Sequence, residues 1–565
     1  MKPLTFCRLL STSASRRAVL RSHSADIETA SKPLFEMVWE RRLRWGNHPA
    51  YICGITDKTL TYNETYRNVL RFSDALHQRG YRHGDVVAAC LPNCIEMPTV
   101  VHACSAQGIA TTTLNPLSTE DDMTRQLEIS GARAVVAHPL LLPVARAAAA
   151  RVPAVREVIA TGDDGPPEGV LSFNELLRLG REVTPTLDID MKNDPVLLLF
   201  SSGTTGLPKG VVQTNYCLGS NLLQVISEDF HWEEPGKERF LAVLPMFHTF
   251  GMFLYTFKSL LVGAPTVLLP RFAPELFLDA IRKYKPTALH LVPPLITFLA
   301  NSPDVDHTTL DSLKVLFCGA APLGETLIKR TYDKTQGKFL FIEGYGMTET
   351  SPVVSMSSRQ MGTVHGSCGV LLPNTELKCV SVEDGRELEQ GERGELCVRG
   401  PQVMKGYYRN PEATAATIDA DGWLHTGDVG YYDEQGAIYI VDRVKELIKY
   451  KGFQVAPAVL EDLLRQHDCV ADAAVVGVPD EEAGELPRAY IVLRRSGVAE
   501  DELAAFVNGQ VSPHYQLRGG VRVVDSIPKN AAGKTLRRQL RDMAEREMAE
   551  AEPADAAARG EAGRE

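Results

Sequence analysis

The strongest constraint on the fold is a buried strand that runs directly into a loop of small and hydroxylated residues. The apolar run Val196 to Phe200 predicts a strand buried on both faces. It continues without a break into Ser201 to Gly210, which reads SSGTTGLPKG. Glycines let backbone amides approach an anion closely, the hydroxyls add donors, and Lys209 adds positive charge. This loop is therefore suited to holding a polyphosphate, although a Ser, Thr and Gly run without such a strand and lysine is more often an ordinary loop.

Two well-known nucleotide-binding loops are excluded by spacing. The loop lacks the G-x-x-x-x-G-K-[ST] pattern, and the Gly-Lys-Thr at Gly533 to Thr535 has Pro528 where the first glycine belongs. A second segment, Gly344 to Thr350, reads GYGMTET, but Glu349 occupies the place of the third glycine in a dinucleotide fingerprint. A carboxylate beside a phosphate loop suits Mg²⁺, which binds through one carboxylate and substrate phosphates. The alternative is that Glu349 is a solvated surface residue.

The remaining chain alternates short apolar runs with helical patterns, which is typical of α/β architecture with parallel sheets. Thr61 and Glu64 form a capping box that predicts a helix to about His77. From Gly391 the pattern changes to short strands separated by turns, which indicates a small β subdomain. Further predicted elements are a buried strand at Val315 to Phe317, strands at Glu395 to Arg399 and Ala437 to Val441, and a helix at Pro457 to Gln466.

Composition excludes several classes of protein. The 565 residues carry 60 Lys and Arg against 71 Asp and Glu, so the net charge of -11 argues against nucleic-acid binding as a main role. Eleven cysteines with no CxxC pair predict reduced, buried thiols. The longest apolar stretch, Leu241 to Leu269, contains His248 and Lys258, so a buried helix and strand fit it better than a membrane span. Peripheral membrane contact and the oligomeric state stay open.

The two ends differ from the body of the chain. Residues 1–25 hold five Lys or Arg and no acid, which is the composition of a mitochondrial transit peptide. A frayed cytosolic terminus is the alternative. Residues 542–565 are rich in Ala, Glu and Arg and predict a disordered tail. Because the chain ends Gly563-Arg564-Glu565 and not in a Ser-Lys-Leu type tripeptide, we expect a mitochondrial location over a cytosolic or peroxisomal one.

Taken together, the motifs resemble those of the adenylate-forming superfamily, which includes acyl-CoA synthetases, 4-coumarate-CoA ligases and beetle luciferases. The resemblance spans roughly residues 35–540 and is greatest to the 4-coumarate-CoA ligase and luciferase branch. The matching segments, in family order, are the loop above, Pro245-Met246-Phe247-His248, Gly319-Ala320-Ala321-Pro322, Tyr345 to Thr350, Asp421 to Asp428, Val441 to Phe453, and Pro528 to Lys534.

This resemblance implies an α/β fold with two unequal domains. A large N-terminal domain of stacked α/β sheets with a small β-barrel subdomain would span residues 31–442, and a small mobile α+β domain would span residues 443–541. The resemblance also implies a ligase that uses ATP, Mg²⁺ and coenzyme A. A carboxylic acid would attack the α-phosphate to give acyl-AMP and pyrophosphate, and the thiol of coenzyme A would then displace AMP.

Roles are carried over by position in the motifs. Thr348 would bond the α-phosphate, Glu349 would bind Mg²⁺, and Lys534 would bridge the acid and the α-phosphate during adenylation. After the small domain rotates, Lys449 and Gly452 would face the site, with His248 beside the thiol tunnel. The phosphate loop would contribute Ser201, Ser202, Gly203, Thr204, Thr205, Gly206 and Lys209, the adenine slot Gly319, Ala320 and Tyr345, and the ribose site Asp428 and Arg443.

The acyl pocket is expected to include His248 to Phe253 and Cys318. No polar anchor for a ring hydroxyl is evident at Phe250 or Leu254, and an unpaired buried polar group would be costly. We therefore expect a medium- or long-chain fatty acid, or a hydrophobic aromatic acid, rather than a hydroxycinnamate. The alternatives are a 4-coumarate-type aromatic acid-CoA ligase, a luciferase-like monooxygenase that uses the same adenylation step, and a degraded relative that binds nucleotide without ligating.

Overall fold

The computed structural model describes residues 19–201, 208–321, 323, 325–451, 453–480, 482–495, 497–529 and 534–547. Two large mixed sheets form most of this part of the chain. The first has eight strands in the order Gly406–Tyr407, Lys209–Thr214, Pro195–Ser201, Ala110–Thr113, Val86–Cys90, Ala134–Ala137, Glu157–Ala160 and Leu171–Ser172. The second has nine, in the order Val370–Leu371, Val353–Met356, Leu340–Gly346, Val315–Cys318, Ala288–Leu291, Phe240–Ala242, Thr266–Leu268, Pro49–Cys53 and Thr59–Thr61.

Alternation along a strand explains how the core is layered. In Val86–Cys90, the side chains of Val87 and Ala89 join the core between the two sheets, whereas those of Val86 and Ala88 join a cluster on the outer face. Five neighbouring strand pairs in each large sheet are parallel. The parallel α/β architecture predicted from the sequence is therefore confirmed.

The helices follow the signals predicted for them. The capping box at Thr61 is formed, because its hydroxyl accepts from the Glu64 amide while the Glu64 carboxylate accepts from the Thr61 amide. The helices are Leu34–Trp39, Arg42–Trp45, Tyr62–Gln78, Glu96–Ala106, Glu120–Ser130, Leu142–Ala150, Phe173–Leu179, Asn215–Val225, Thr249–Met252, Ser259–Val262, Pro274–Tyr284, Pro293–Asn301, Glu325–Thr335, Pro411–Ala415, Pro457–Gln466 and Glu500–Asn508. Shorter turns are the π-helix Phe253–Lys258 and the 3₁₀ helices Pro139–Leu141, Thr348–Thr350 and Pro513–Tyr515.

The predicted β subdomain is an antiparallel sheet of five strands. Its order is Val19–Arg21, Glu376–Val380, Gly394–Arg399, Leu424–Tyr432 and Ile438–Arg443. The small C-terminal domain has a second five-stranded sheet, with Phe453–Val455, Ile448–Tyr450, Gly484–Leu493 and Val470–Asp480 in that order and Val521–Val523 pairing with Gly484–Leu493. The helix Pro457–Gln466 packs on this sheet. The two unequal domains implied by the resemblance are therefore present.

The first described strand lies inside the segment predicted to be a transit peptide. Val19 pairs with Lys378 in an antiparallel ladder, the Ser24 hydroxyl donates to Asp229 Oδ2 (2.8 Å), and the Ile27 amide donates to Asn374 Oδ1 (3.1 Å). Residues 19–25 are therefore part of the folded N-terminal domain, which begins earlier than the predicted residue 31. Residues 1–18 lie outside the described part of the chain.

The C-terminal boundary also differs from the prediction. Residues 537–547 are helical, Leu540 and Ala544 are buried, and Glu547 forms an ion pair with the buried Arg488. The small domain therefore extends to residue 547, beyond the predicted residue 541. Residues 548–565 are outside the described range. Within the described residues, no helix is both long and apolar enough to cross a membrane.

Candidate active site

The site lies where the two large sheets, the β subdomain and the small domain meet. The strand Pro195–Ser201 delivers Ser201 to it, and the strand Leu340–Gly346 delivers the 3₁₀ turn Thr348–Thr350. The predicted phosphate-loop residues Ser202, Gly203, Thr204, Thr205 and Gly206 fall outside the described residues, as do Gly452 and Pro322. The other predicted site residues are all described.

Glu349 is a buried carboxylate held from two sides. Its Oε1 accepts hydrogen bonds from the Ser201 hydroxyl (2.9 Å) and the Tyr407 hydroxyl (3.0 Å). The Lys209 ammonium lies 4.9 Å from the centre of the Tyr407 ring. Burial, followed by the Glu349 charge, raises the pKa of Tyr407, so this hydroxyl keeps its proton and remains a donor. The arrangement places an oriented carboxylate next to a lysine at the end of the phosphate loop.

This carboxylate fits a magnesium ion. A hard cation with oxygen ligands is bound by one or two carboxylates when substrate phosphates complete its coordination. Hydrogen bonds to a ligating carboxylate fix its orientation, and here two hydroxyls do so. Sequence reasoning found Glu349 but missed Tyr407, because Tyr407 lies 58 positions further along the chain and outside every motif.

Asp428 forms a buried cluster with two of the predicted site residues. Its Oδ2 accepts from the Tyr345 hydroxyl (2.8 Å), and its Oδ1 lies 3.0 Å from Arg443 Nε. Burial and the Asp428 charge hold the pKa of Tyr345 well above its usual range. Each oxygen expected to accept a ribose hydroxyl already has one protein donor, although a carboxylate oxygen can accept a second. The hydrogen bond to Asp428 therefore fixes the orientation of the Tyr345 ring, which the resemblance places in the adenine slot.

The residues predicted to form the adenine slot lie at the ends of two parallel strands. Cys318 pairs with Glu343 across these strands, so Gly319 and Gly344 follow side by side. A β-carbon added at Gly319 would lie 3.6 Å from both the Gly344 carbonyl oxygen and the Phe250 ring. Ala320 follows with φ of 74°, a left-handed conformation rare for a residue with a side chain. The predicted slot thus has two small residues, Gly319 and Ala320, with the Phe250 ring next to Gly319.

Lys534 lies at the same cleft. Lys534 is exposed to solvent, yet the protein around its side chain partly desolvates the ammonium group. This desolvation lowers the pKa of Lys534 to about 8. The positive charge of Arg443 lowers the pKa further, whereas Asp428 and Glu446 act in the opposite direction. The structure thus brings Lys534 together with the Asp428 cluster, as the resemblance implies for the adenylation step.

Lys449 occupies a different position. It lies in the strand Ile448–Tyr450 of the small domain with an exposed side chain, and its backbone amide donates to Glu485 Oε2 (2.7 Å). The small domain therefore presents Lys534 to the nucleotide residues while Lys449 faces solvent.

The acyl side of the cleft begins at His248. This residue precedes the helix Thr249–Met252, and its ring centre lies 4.5 Å from that of Phe247. Burial lowers the pKa of His248 to about 4, so its imidazole is neutral at pH 7. Cys318 is buried, and its thiol pKa is raised well above the usual value by burial and then by Glu343. His248, Phe250 and Cys318 thus carry no charge at neutral pH, whereas burial raises the pKa of the neighbouring Glu343 carboxyl to about 7, so this group is partly ionised there.

Sequence reasoning also missed the support behind Asp428. Glu395 Oε1 accepts the Gly427 amide (3.0 Å), while its Oε2 lies 2.9 Å from His425 Nδ1. With Cys397, these residues form a group whose donor atoms all lie within 4.8 Å of one another. The hydrogen bonds already use the Glu395 carboxylate, and burial raises the pKa of the Cys397 thiol. We therefore interpret this group as support for the Asp428 strand.

Comparisons with known proteins agree with this geometry. The model of a family described as AMP-binding enzyme matches residues 38–408, and that of the AMP-binding enzyme C-terminal domain matches residues 459–534. The chain is 40% identical to 4-coumarate--CoA ligase 2 of Oryza sativa subsp. japonica over 93% of this chain and 94% of the relative. It is 39% identical to 4-coumarate--CoA ligase 3 of Arabidopsis thaliana, covering 93% of each.

Solved structures of CoA ligases and of MatB have a similar fold. The fold is similar to an anthranilate CoA ligase, AuaEII, in complex with anthranoyl-AMP, with a TM-score of 0.84, 25% identity, and coverage of 92% of this chain and 98% of that one. It is also similar to ATP-bound MatB from Rhodopseudomonas palustris, with a TM-score of 0.82, 28% identity, and coverage of 90% and 98%.

Proposed function

Because the chain belongs to the AMP-binding enzyme family and is an ATP-dependent acid-CoA ligase, we propose that the acid it activates is an aromatic carboxylic acid. The observation that carries this proposal is the similarity, over nearly the whole chain, to ligases whose named substrate is a phenolic cinnamic acid. It favours an aromatic acid over the medium- or long-chain fatty acid expected from the sequence.

The proposed substrate has a hydrophobic ring. Phe250 places an aromatic ring next to Gly319. The neutral His248 and protonated Cys318 add no charge to this wall at neutral pH. A pocket that reads a ring hydroxyl needs a buried polar partner for it. Neither Phe250 nor the protonated Cys318 thiol is a strong partner for a ring hydroxyl, so we propose a cinnamate- or benzoate-like acid without a ring hydroxyl requirement.

In the proposed first step, the acid carboxylate attacks the α-phosphorus, a new P–O bond forms, and the bond to pyrophosphate breaks. Both reactants are anions, so the barrier depends on positive charge and oriented donors placed where the charge develops. Lys534 lies beside the Asp428 cluster and would bridge the two reacting anions. Lys209 would act on the outer phosphates, and Thr348 would donate to the α-phosphate.

Other residues would hold the metal ion, the ribose and the base in place. Glu349 would hold Mg²⁺, which would supply charge neutralisation at the phosphates. Asp428, with Tyr345 and Arg443, would orient the ribose, and Gly319 and Ala320 would leave space for the base. In the second step the thiol of coenzyme A releases its proton and attacks the acyl carbonyl carbon, a C–S bond forms, and the bond to AMP breaks. The small domain would first rotate to bring Lys449 and Gly452 to the site.

The test is a substrate comparison with the purified chain. We would measure acyl-CoA formation by mass spectrometry and pyrophosphate release with cinnamate, 4-coumarate, benzoate, octanoate and palmitate. We expect the largest kcat/KM for an aromatic acid, with cinnamate at least equal to 4-coumarate. A larger kcat/KM for octanoate or palmitate than for every aromatic acid would overturn the proposal.

A further inference from the structure

Gln213 joins two parts of the cleft through one buried amide. It lies in the strand Lys209–Thr214, four residues after Lys209, and is fully buried. Its Nε2 donates to the Thr249 hydroxyl oxygen (3.1 Å) and to the Thr348 carbonyl oxygen (2.8 Å). These two acceptors belong to segments that lie about 100 residues apart in the chain.

The orientation of this amide is determined by its surroundings. Rotating the amide by 180° would bring Oε1 against the Thr348 carbonyl oxygen and place two acceptors in contact. In the observed orientation, Oε1 is buried and has no hydrogen-bond partner among the described residues. An apolar side chain of similar length would fill the same space without burying an unpaired oxygen. Gln213 therefore suits this position through its two donor bonds more than through packing.

The two acceptors lie on opposite sides of the proposed reaction site. Thr249 begins the helix that follows His248 on the acyl side, and Thr348 begins the turn that carries Glu349 on the phosphate side. We propose that Gln213 is a positioning residue that fixes the acyl side of the cleft relative to the α-phosphate side for the adenylation step. This inference rests on the proposed acid-CoA ligase function.

The expected effect follows from the demands of in-line attack. A misplacement of about 1 Å between reacting groups costs on the order of 10²-fold in rate. Gln213 is fully buried, and both of its hydrogen bonds go to protein atoms, so we expect it to act through them. Its loss should therefore slow acyl-AMP formation while ATP binding changes little.

Gln213→Met tests this prediction, because methionine has a similar length and no donor. In single turnovers without coenzyme A, we expect acyl-AMP formation to fall at least about 10-fold, with the KM for ATP within about 2-fold of wild type. Gln126→Met is the matched control. Gln126 Nε2 makes the same pair of bonds, to the Thr112 hydroxyl oxygen (3.1 Å) and the Thr113 carbonyl oxygen (2.8 Å), but lies on the helix Glu120–Ser130.

Gln213→Glu separates positioning from general loss of stability. A protonated carboxyl group keeps one O–H donor, whereas a carboxylate has none. The rate of this variant relative to wild type should therefore rise as the pH falls from 9 to 6, while the ratio for Gln213→Met stays constant. Taking the ratio at each pH cancels the titration of His248 and Lys534, which both proteins share.

The outcomes distinguish this inference from the proposed function. The measurement uses the best acid from the substrate comparison. If wild type forms acyl-AMP but Gln213→Met forms it at the same rate, or the Gln213→Glu ratio does not change with pH, the positioning role is wrong and the ligase assignment stands. If wild type forms no acyl-AMP with any acid, both fail. Should Gln213→Met not fold in thermal unfolding, the pH ratio of Gln213→Glu decides.

Discussion

At the scale of single residues, the titration of Lys534 gives the first prediction. Its pKa is lowered to about 8, and only the protonated amine can neutralise the reacting anions. The kcat/KM for acyl-AMP formation should therefore fall as the pH rises through about 8. Lys534→Arg should move this decline to higher pH, because guanidinium stays protonated. Pyrophosphate release without coenzyme A, measured from pH 6.5 to 9.5, checks this; an unchanged alkaline limb in Lys534→Arg would contradict it.

The same residue should separate the half-reactions. Lys534→Ala removes one positioned charge and should slow adenylation by at least 10²-fold, or about 2.7 kcal/mol. Thioester formation from supplied acyl-AMP should be largely unaffected, because Lys534 acts in the first step. An equal loss in both steps would remove Lys534 from the adenylation site.

At the scale of elements, most strands and capped helices could be predicted because their signals are local. The prediction of Val196 to Phe200 as a strand matches Pro195–Ser201, and the prediction of Pro457 to Gln466 as a helix matches in full. Tyr407, Gln213 and Glu395 could not be found this way. Each acts through a contact made only when distant strands pair, so no local pattern marks it.

Glu395 provides a prediction for one pair of strands. Glu395→Ala leaves the Gly427 amide without its acceptor, next to Asp428, which should cost about 1–3 kcal/mol of unfolding free energy. We also expect the KM for ATP to rise several-fold, because the Asp428 turn loses its support. Thermal unfolding and steady-state kinetics measure the two effects. The control is Glu387→Ala, which removes an exposed carboxylate that pairs with Lys378. Equal effects in both variants would contradict the prediction.

At the scale of the whole molecule, the positions of two lysines predict alternating roles for the small domain. Lys534 lies at the Asp428 cluster while Lys449 faces solvent. Lys449→Ala should therefore form acyl-AMP normally and fail in transfer to coenzyme A. The control is Lys451→Ala, which changes a lysine two residues away and should perform both steps. Both half-reactions can be followed by mass spectrometry, and normal transfer by Lys449→Ala would exclude it from the site.

The N-terminal strand constrains any processing of the chain. We propose a mitochondrial location from the composition of residues 1–25. Since Val19–Arg21 pairs with Glu376–Val380, a cut after Arg21 would remove an edge strand from the β subdomain. We expect the mature protein to begin at or before Val19. N-terminal sequencing of the protein from its own cells checks this, and a mature start at Asp26 would contradict it.

That strand also sets an order of events during synthesis. Val19 pairs with Lys378, so its partner is translated roughly 360 residues later. At about 5–20 residues per second, this delay lasts on the order of 20–70 s. Throughout that interval the partner strand Glu376–Val380 has not been synthesised. A receptor that binds the N-terminal segment can therefore act before this segment docks on the β subdomain. The pairing of Val19–Arg21 with Glu376–Val380 thus delays docking of the N-terminal segment until most of the chain has been made.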